Sequence, residues 1–283
     1  MHMVDFAVRF QELKQELDDP DARFLGEGMV DDLLALAPYI PDRQNEAWLF
    51  RELAVLEGKR GQLSCLDHAD RALAAQADTD ILPPDRLYFM HVLCGDVGAT
   101  WSDDPRTRMH LDKALSLHAQ LDRPIGEEFF TRLNLGIYEK SIGSSRMGLD
   151  VFEPLLADGE KHHGQHSSEL SNLLRLMSES QEALGDFDRA LYYGKRSLDL
   201  NDYATDPGRR VTALMTFGRL QFRAGRKDDA RTSFDEAVAF AEVQCSSSTQ
   251  DFAREERDKQ FPDPLQAPPH SLLSRLKAAF RPR

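Results

Sequence analysis

The most constraining stretch of this chain is Val211–Gln244, VTALMTFGRLQFRAGRKDDARTSFDEAVAFAEVQ. Apolar residues recur there every three or four positions on both sides of Ala224-Gly225-Arg226, which reads as two amphipathic helices joined by a tight turn. Small residues stand where the two backbones must meet. Gly218 lets the second helix approach the first, and Gly225 can adopt the left-handed conformation that ends a helix. Ala230 and Ala237 keep the crossing close, while Phe234 fills the gap between them. One hairpin of this kind cannot bury its own apolar face, so the rest of the chain must supply copies to stack beside it.

The copies recur at a nearly constant spacing. Ser178 stands 40 residues before Gly218, Gly136 lies 42 before that, Gly95 a further 41, Leu53 a further 42 and Glu12 a further 41. The segment EALGDFDRALYYGKRSLDL keeps Gly185 and Ala190 in register, with Gly194 at the Phe position and Tyr193 beside it. TRLNLGIYEKSIGSSRMGLDVF keeps Leu135, Gly136, Gly143 and Phe152, with Gly148 where Ala is expected. DRALAA and DKALSL hold the units around Leu53 and Gly95, and the first unit, Val4–Ala37, rests on the period. The pattern resembles the tetratricopeptide repeat (TPR), because Leu214, Phe217, Gly218, Gly225, Ala230, Phe234 and Ala237 fall at that family's spacing. Two positions depart from it: the usual Tyr is Gln221 and the usual closing Pro is Glu242. The resemblance covers roughly residues 45–244, most fully from Arg132 onwards, at a longer period than usual, as in bacterial arrays. It implies an all-α, right-handed superhelical solenoid of about six helical hairpins over residues 1–245.

Composition agrees with an all-α reading, since alternating β periodicity is nearly absent. Most prolines fall between expected helices, as helix punctuation should. Pro154 is the exception, inside an expected helix at Ser145–Ala157 that it should kink or shorten, with a polar loop GEKHHGQHSS after it. A charged end helix is expected at 250–260, capped by Ser246-Ser247-Ser248-Thr249. A proline-rich linker (261–269) and a basic segment (270–283) follow. The three cysteines fit no metal or redox spacing, and no 18-residue apolar run or leader-like segment occurs. A soluble protein of a reducing, cytoplasmic compartment is expected.

Charge and motifs exclude several functions. The net charge is −13 over 283 residues, and residues 246–283 carry seven Lys and Arg against five Asp and Glu, leaving −15 on the body. An acidic body argues against sequence-independent nucleic-acid binding, which rests on phosphate neutralisation. There is no phosphate-binding glycine loop, nucleophile elbow or zincin helix, so neither a catalytic residue nor a cofactor is expected. His162, His163 and His166 include a pair at helical spacing, but Gly164 separates them and only Glu160 stands near, so no metal site is expected.

Stacked TPR hairpins place their first helices on an inner wall, where such proteins usually take peptides. The resemblance therefore implies binding positions at Asn134, Lys140, Asn172, Arg175, Glu179, Thr216, Arg219 and Arg223, with Asp96 and Phe222 on the same wall. Asn134 sits in a Leu-Asn-Leu-Gly run similar to TPR units of kinesin light chains and bacterial peptide-sensing regulators. An Asn there commonly clasps the backbone of an extended peptide, since one amide both donates and accepts. Arg175, Arg219 and Arg223 offer forked donors for carboxylates. The expected function is a non-enzymatic adaptor that holds a peptide or protein segment. The alternative is a peptide-sensing regulator whose superhelix changes shape on binding, although Met1–Ala37 is too short for a helix-turn-helix domain. Within 270–283, Leu272, Leu273, Leu276 and Phe280 share a helical face flanked by Arg275 and Lys277. That pattern suits docking on a partner or on the acidic body, or weak attachment to an anionic membrane.

Overall fold

The computed structural model describes residues 3–18, 27–77, 80–200 and 206–262. The proline-rich linker beyond Pro262 and the basic C-terminal segment lie outside them. The described residues hold thirteen α-helices and no strand: α1 (Met3–Asp18), α2 (Glu27–Leu36), α3 (Arg43–Lys59), α4 (Ser64–Ala75), α5 (Pro84–Trp101), α6 (Arg106–Leu121), α7 (Ile125–Ile142), α8 (Ser145–His163), α9 (Ser171–Ala183), α10 (Phe187–Leu200), α11 (Pro207–Arg223), α12 (Lys227–Gln244) and α13 (Ser247–Gln260). Consecutive helices pack as antiparallel pairs. None of these helices is long and apolar enough to cross a membrane. The chain divides into two compact units, Met1–Asp158 and Gly159–Arg283, with the division inside α8.

In unit 1 each of the two N-terminal helices buries an apolar stripe. Phe6, Phe10 and Leu13 of α1 and Met29, Leu33 and Leu36 of α2 join one core with Leu53, Ala69 and Met90. Asp42 caps α3 by accepting from the Asn45 amide at 2.8 Å. The small register residues are needed where they stand. A Cβ on Gly95 would lie 2.6 Å from Leu111 Cδ2, and one on Gly136 would run into the Phe152 ring.

Unit 2 repeats that geometry. Gly185 (φ +80°) and Gly225 (φ +81°) make the left-handed turns that end α9 and α11, a conformation side-chain-bearing residues rarely adopt. A Cβ on Gly218 would lie 2.8 Å from the Phe234 ring. In the close pairs Gly95/Leu111, Gly136/Phe152 and Gly218/Phe234 the partners are sixteen positions apart, so one crossing geometry serves all three. Gln221, at the usual Tyr position, accepts from the Ser233 hydroxyl at 2.7 Å. Glu242, at the usual Pro position, lets α12 run on to Gln244 and pairs with Arg254 of α13 at 2.8 Å.

Three expectations need correction. Pro154 does not shorten its helix: α8 continues to His163 and absorbs half of the expected polar loop. The break comes instead at Gly164, with φ +83°. The last residue of that expected loop, Ser168, instead opens a single 3-10 turn, Ser168–Leu170, before α9 begins. Finally, α13 starts at Ser247, and the Ser246 hydroxyl meets the side chains of Ser248 and Thr249 instead of capping backbone amides.

Candidate binding cavity

A cavity of about 640 Å³ opens inside unit 2. Its walls come from α9 (Arg175, Ser178, Glu179, Glu182), α10 (Gly194, Ser197, Leu198), the start and inner face of α11, and the first turns of α13 (Ser248, Thr249, Phe252). One wall of it departs from the repeat register. At the position held by Leu111, Phe152 or Phe234 in three other hairpins, α10 carries Gly194, and it faces Ser178, where those three have glycine. Both residues line the cavity. Neither supplies the bulk that Phe234 supplies beside Gly218, and Phe217 and Leu220 of α11 approach Gly194 instead.

Polar groups hold that gap in shape. The Ser178 hydroxyl donates to the Ala190 carbonyl at 2.8 Å, and the hydroxyls of Ser171 and Ser197 donate to each other's backbone carbonyls at 3.1 and 2.8 Å. The floor is apolar, with Phe217, Leu220, Leu198 and Ala213, and Phe252 overhangs it at 43% exposure. Around the rim three arginines stand in three ion pairs. Arg175 pairs with Glu179, Arg223 with Glu182 at 2.6 Å, and Arg209 with Asp206 at 3.2 Å. The rim is therefore neutral overall but dense in exchangeable charge. An incoming carboxylate or ammonium can replace one member of a pair, because half-exposed pairs contribute little stability of their own.

Four of the eight expected binding residues line this cavity: Arg175, Glu179, Thr216 and Arg223. Asn172 lies just behind them, its side-chain oxygen accepting from Arg175 at 2.8 Å. Thr216 donates its hydroxyl to the Thr212 carbonyl at 2.8 Å and so offers the cavity chiefly its methyl group. Arg219 does not serve as a free fork: it pairs with Glu256 of α13 at 2.7 Å. Lys259 first and Arg219 second hold the Glu256 carboxyl below its ordinary pKa, and the buried Ala253 seats the same helix. Asn134 and Lys140 belong to unit 1. Asn134 there donates its amide to Asp96 at 2.9 Å, an α7-to-α5 bond that occupies one of its donors. Lys140 packs its Cβ against Gly148 of α8.

Sequence reasoning missed the α13 wall. Phe252 is the one aromatic residue in Ser247–Gln260, a weak signal in so polar a helix. The Phe-to-Gly departure at Gly194 was visible, and it marks the cavity. Among the described residues no cluster of three or more metal-ligating side chains exists, and His163 is 2.6 Å from Glu169. Cys65 and Cys94 are free and buried, with the Cys94 thiol 3.5 Å from the Cys65 carbonyl.

Comparison with known proteins bears on the fold. No family profile and no curated protein matches the sequence. Solved structures do match in shape. The apo form of the quorum sensor NprR from B. thuringiensis superposes with a TM-score of 0.66 at 11% identity, over 93% of this chain and 72% of that one. BtubC from P. vanneervenii gives 0.57 at 16% identity, over 86% and 90%. NprR in complex with its cognate peptide NprX gives 0.52 at 11% identity, over 99% and 78%. The fold is a tetratricopeptide-type helical repeat. At these identities the likeness carries the fold alone.

Proposed function

We propose that the chain is a non-enzymatic binding module that takes a peptide or an extended protein segment in the unit 2 cavity. The observation that carries this reading is an apolar-floored cavity of about 640 Å³ lined from α9, α10, α11 and α13, with Gly194 on its wall. That volume lies within the range of roughly 300–1,000 Å³ usual for ligand sites. Phe217 and Phe252 suit an apolar side chain, and the ion-paired rim suits polar backbone and charged flanks. The TPR-type neighbour NprR is known in complex with a peptide, which is in keeping with this use of the fold. Asn134 and Lys140 are a further part of the proposal: they extend peptide contacts on unit 1, with Asn134 exchanging Asp96 for a ligand backbone.

A random-peptide display selection on immobilised protein tests the reading, with Thr216→Trp as the control. Thr216 is exposed and lines the cavity, so an indole there fills the space without entering the core. Peptides enriched by the wild type and lost by the variant, with helical content unchanged, are the expected result. Equal enrichment by both proteins places binding elsewhere and ends the proposal.

A further inference from the structure

A second, smaller cavity lies wholly within unit 1, and its chemistry differs from that of the first. It holds about 220 Å³ between α3 and α5, closed by Leu17 of α1 and by Arg123 ahead of α7. Four of its lining side chains are cations (Arg51, Lys59, Arg86, Arg123) and two are anions (Glu52, Asp85). That local surplus of positive charge stands in a chain whose net charge is −13. Three of the four cations are engaged. Arg51 and Glu52, at 3% and 5% exposure, satisfy each other, with Arg51 Nη1 2.8 Å from both carboxylate oxygens. Arg123 pairs with Glu127 of α7 and stacks over Tyr88, and Arg86 stands 3.8 Å from Asp85. Lys59 is different. Among the described residues it has no carboxylate within ion-pair distance, and its ammonium lies 5.9 Å over the exposed Phe89 ring.

We propose that this cavity is a docking socket for one acidic side chain, glutamate or aspartate, carried on a segment of a partner protein, with Lys59 as its ion-pairing residue. Charge complementarity carries the assignment. The lining cations outnumber the lining carboxylates by two, and with Arg51, Arg86 and Arg123 paired the charge open to an incoming carboxylate is that of Lys59. Leu17, Val55, Leu56 and Phe89 supply apolar walls for the methylene stem of the acid. The volume falls below that of sites for free drug-sized ligands, so one side chain fills it while its backbone stays outside. Nothing in this socket depends on the unit 2 cavity binding a ligand.

Amide NMR on the full chain tests the socket. The probes are a capped pentapeptide, acetyl-Ala-Leu-Glu-Leu-Ala-amide, and its Gln counterpart, at low ionic strength where screening is weak. The Glu peptide is expected to shift the Lys59 and Phe89 amides saturably, and the Gln peptide to bind roughly tenfold or more weaker. Lys59→Gln should reproduce that loss and Lys59→Arg should restore binding, while Thr216→Trp in unit 2 leaves both affinities unchanged. Lys59 is exposed, so these variants keep the fold, whereas changing Arg51 would strand a buried Glu52. Equal binding of the two peptides, an affinity insensitive to Lys59→Gln, or shifts confined to α9 and α11 would each overturn the proposal.

Discussion

Hairpins α11–α12 and α9–α10 share a register and differ in what fills it. In α11–α12 Gly218 makes room for Phe234, and the ring is fully buried. In α9–α10 the same two positions are Ser178 and Gly194, and hydroxyl-to-carbonyl bonds take the place of the ring. Both solutions allow close approach of the helices. The first uses the register position for packing, and the second places it on the wall of a cavity. A repeat scaffold thus tolerates one register position without a ring, while its neighbours keep theirs filled.

The largest effect should come from emptying the filled hairpin. Phe234→Ala removes a fully buried ring that also meets Phe261 edge-on at a centroid distance of 5.8 Å. A loss of roughly 3–5 kcal/mol is expected from urea midpoints. A loss below about 1 kcal/mol would show that the two hairpins are filled alike, and the contrast between them would fail.

A third hairpin extends the comparison to pH. In α5–α6 the interior polar pair is His91 and His110, with Nδ1 atoms 2.8 Å apart and exposures of 3% and 0%. Burial first, then the neighbouring His110 and Lys113, lowers His91 to a pKa of about 3. Burial also lowers His110 to about 4, with Asp70 and Asp104 opposing and Arg106 reinforcing the shift. Both rings are therefore neutral when folded but titrate near the ordinary 6.5 when unfolded. Their stability contribution is complete above pH 6.5 and is lost as pH falls toward the folded values, because the unfolded chain binds protons first. Between pH 7 and about 5.5 the two rings together should cost about 2 kcal/mol. The serine bonds of α9–α10 do not titrate, and no histidine of unit 2 is buried among the described residues. Hydrogen exchange at the two pH values should show α5 and α6 losing protection relative to α9 and α10. A His91→Leu/His110→Leu variant should lose that difference.

Ala230 tests the register itself. It is fully buried at the close crossing of α11–α12, and Ala230→Leu should overpack it by roughly 1–3 kcal/mol. An unchanged midpoint would mean that the crossing is elsewhere. This position also shows what was legible in the sequence. Gly218, Gly225, Ala230 and Phe234 are small or large for steric reasons that a periodic pattern displays directly, so the hairpins could be read from it. Pro154 was misread because a proline within a helix looks like a break, yet α8 tolerates it and ends at Gly164. For the site, Arg175, Glu179, Thr216 and Arg223 follow from helix faces. The engagement of Arg219 by Glu256, and of Asn134 by Asp96, depends on which helix packs alongside, which spacing within one helix does not encode.

The smallest effect is the most diagnostic. A Cβ on Gly194 would lie 3.0 Å from Ser178 Oγ, 3.3 Å from Phe217 Cδ2 and 3.4 Å from Leu220 Cδ2. These contacts are tight, but Phe217 stands on the cavity wall and can yield into open space. Against that small cost, alanine gains roughly 0.8–1.0 kcal/mol of helix propensity over glycine within α10. Gly194→Ala should therefore shift stability by no more than about 0.5 kcal/mol in either direction. The same substitution at Gly218 places a Cβ 2.8 and 2.9 Å from a Phe234 ring that is buried on all sides. That ring has no space to enter, so Gly218→Ala should cost roughly 1–3 kcal/mol despite an equal propensity gain. Urea midpoints of the two variants decide the matter. If Gly194→Ala costs as much as Gly218→Ala, Phe217 cannot yield into the cavity, and the two register positions are equally tightly packed.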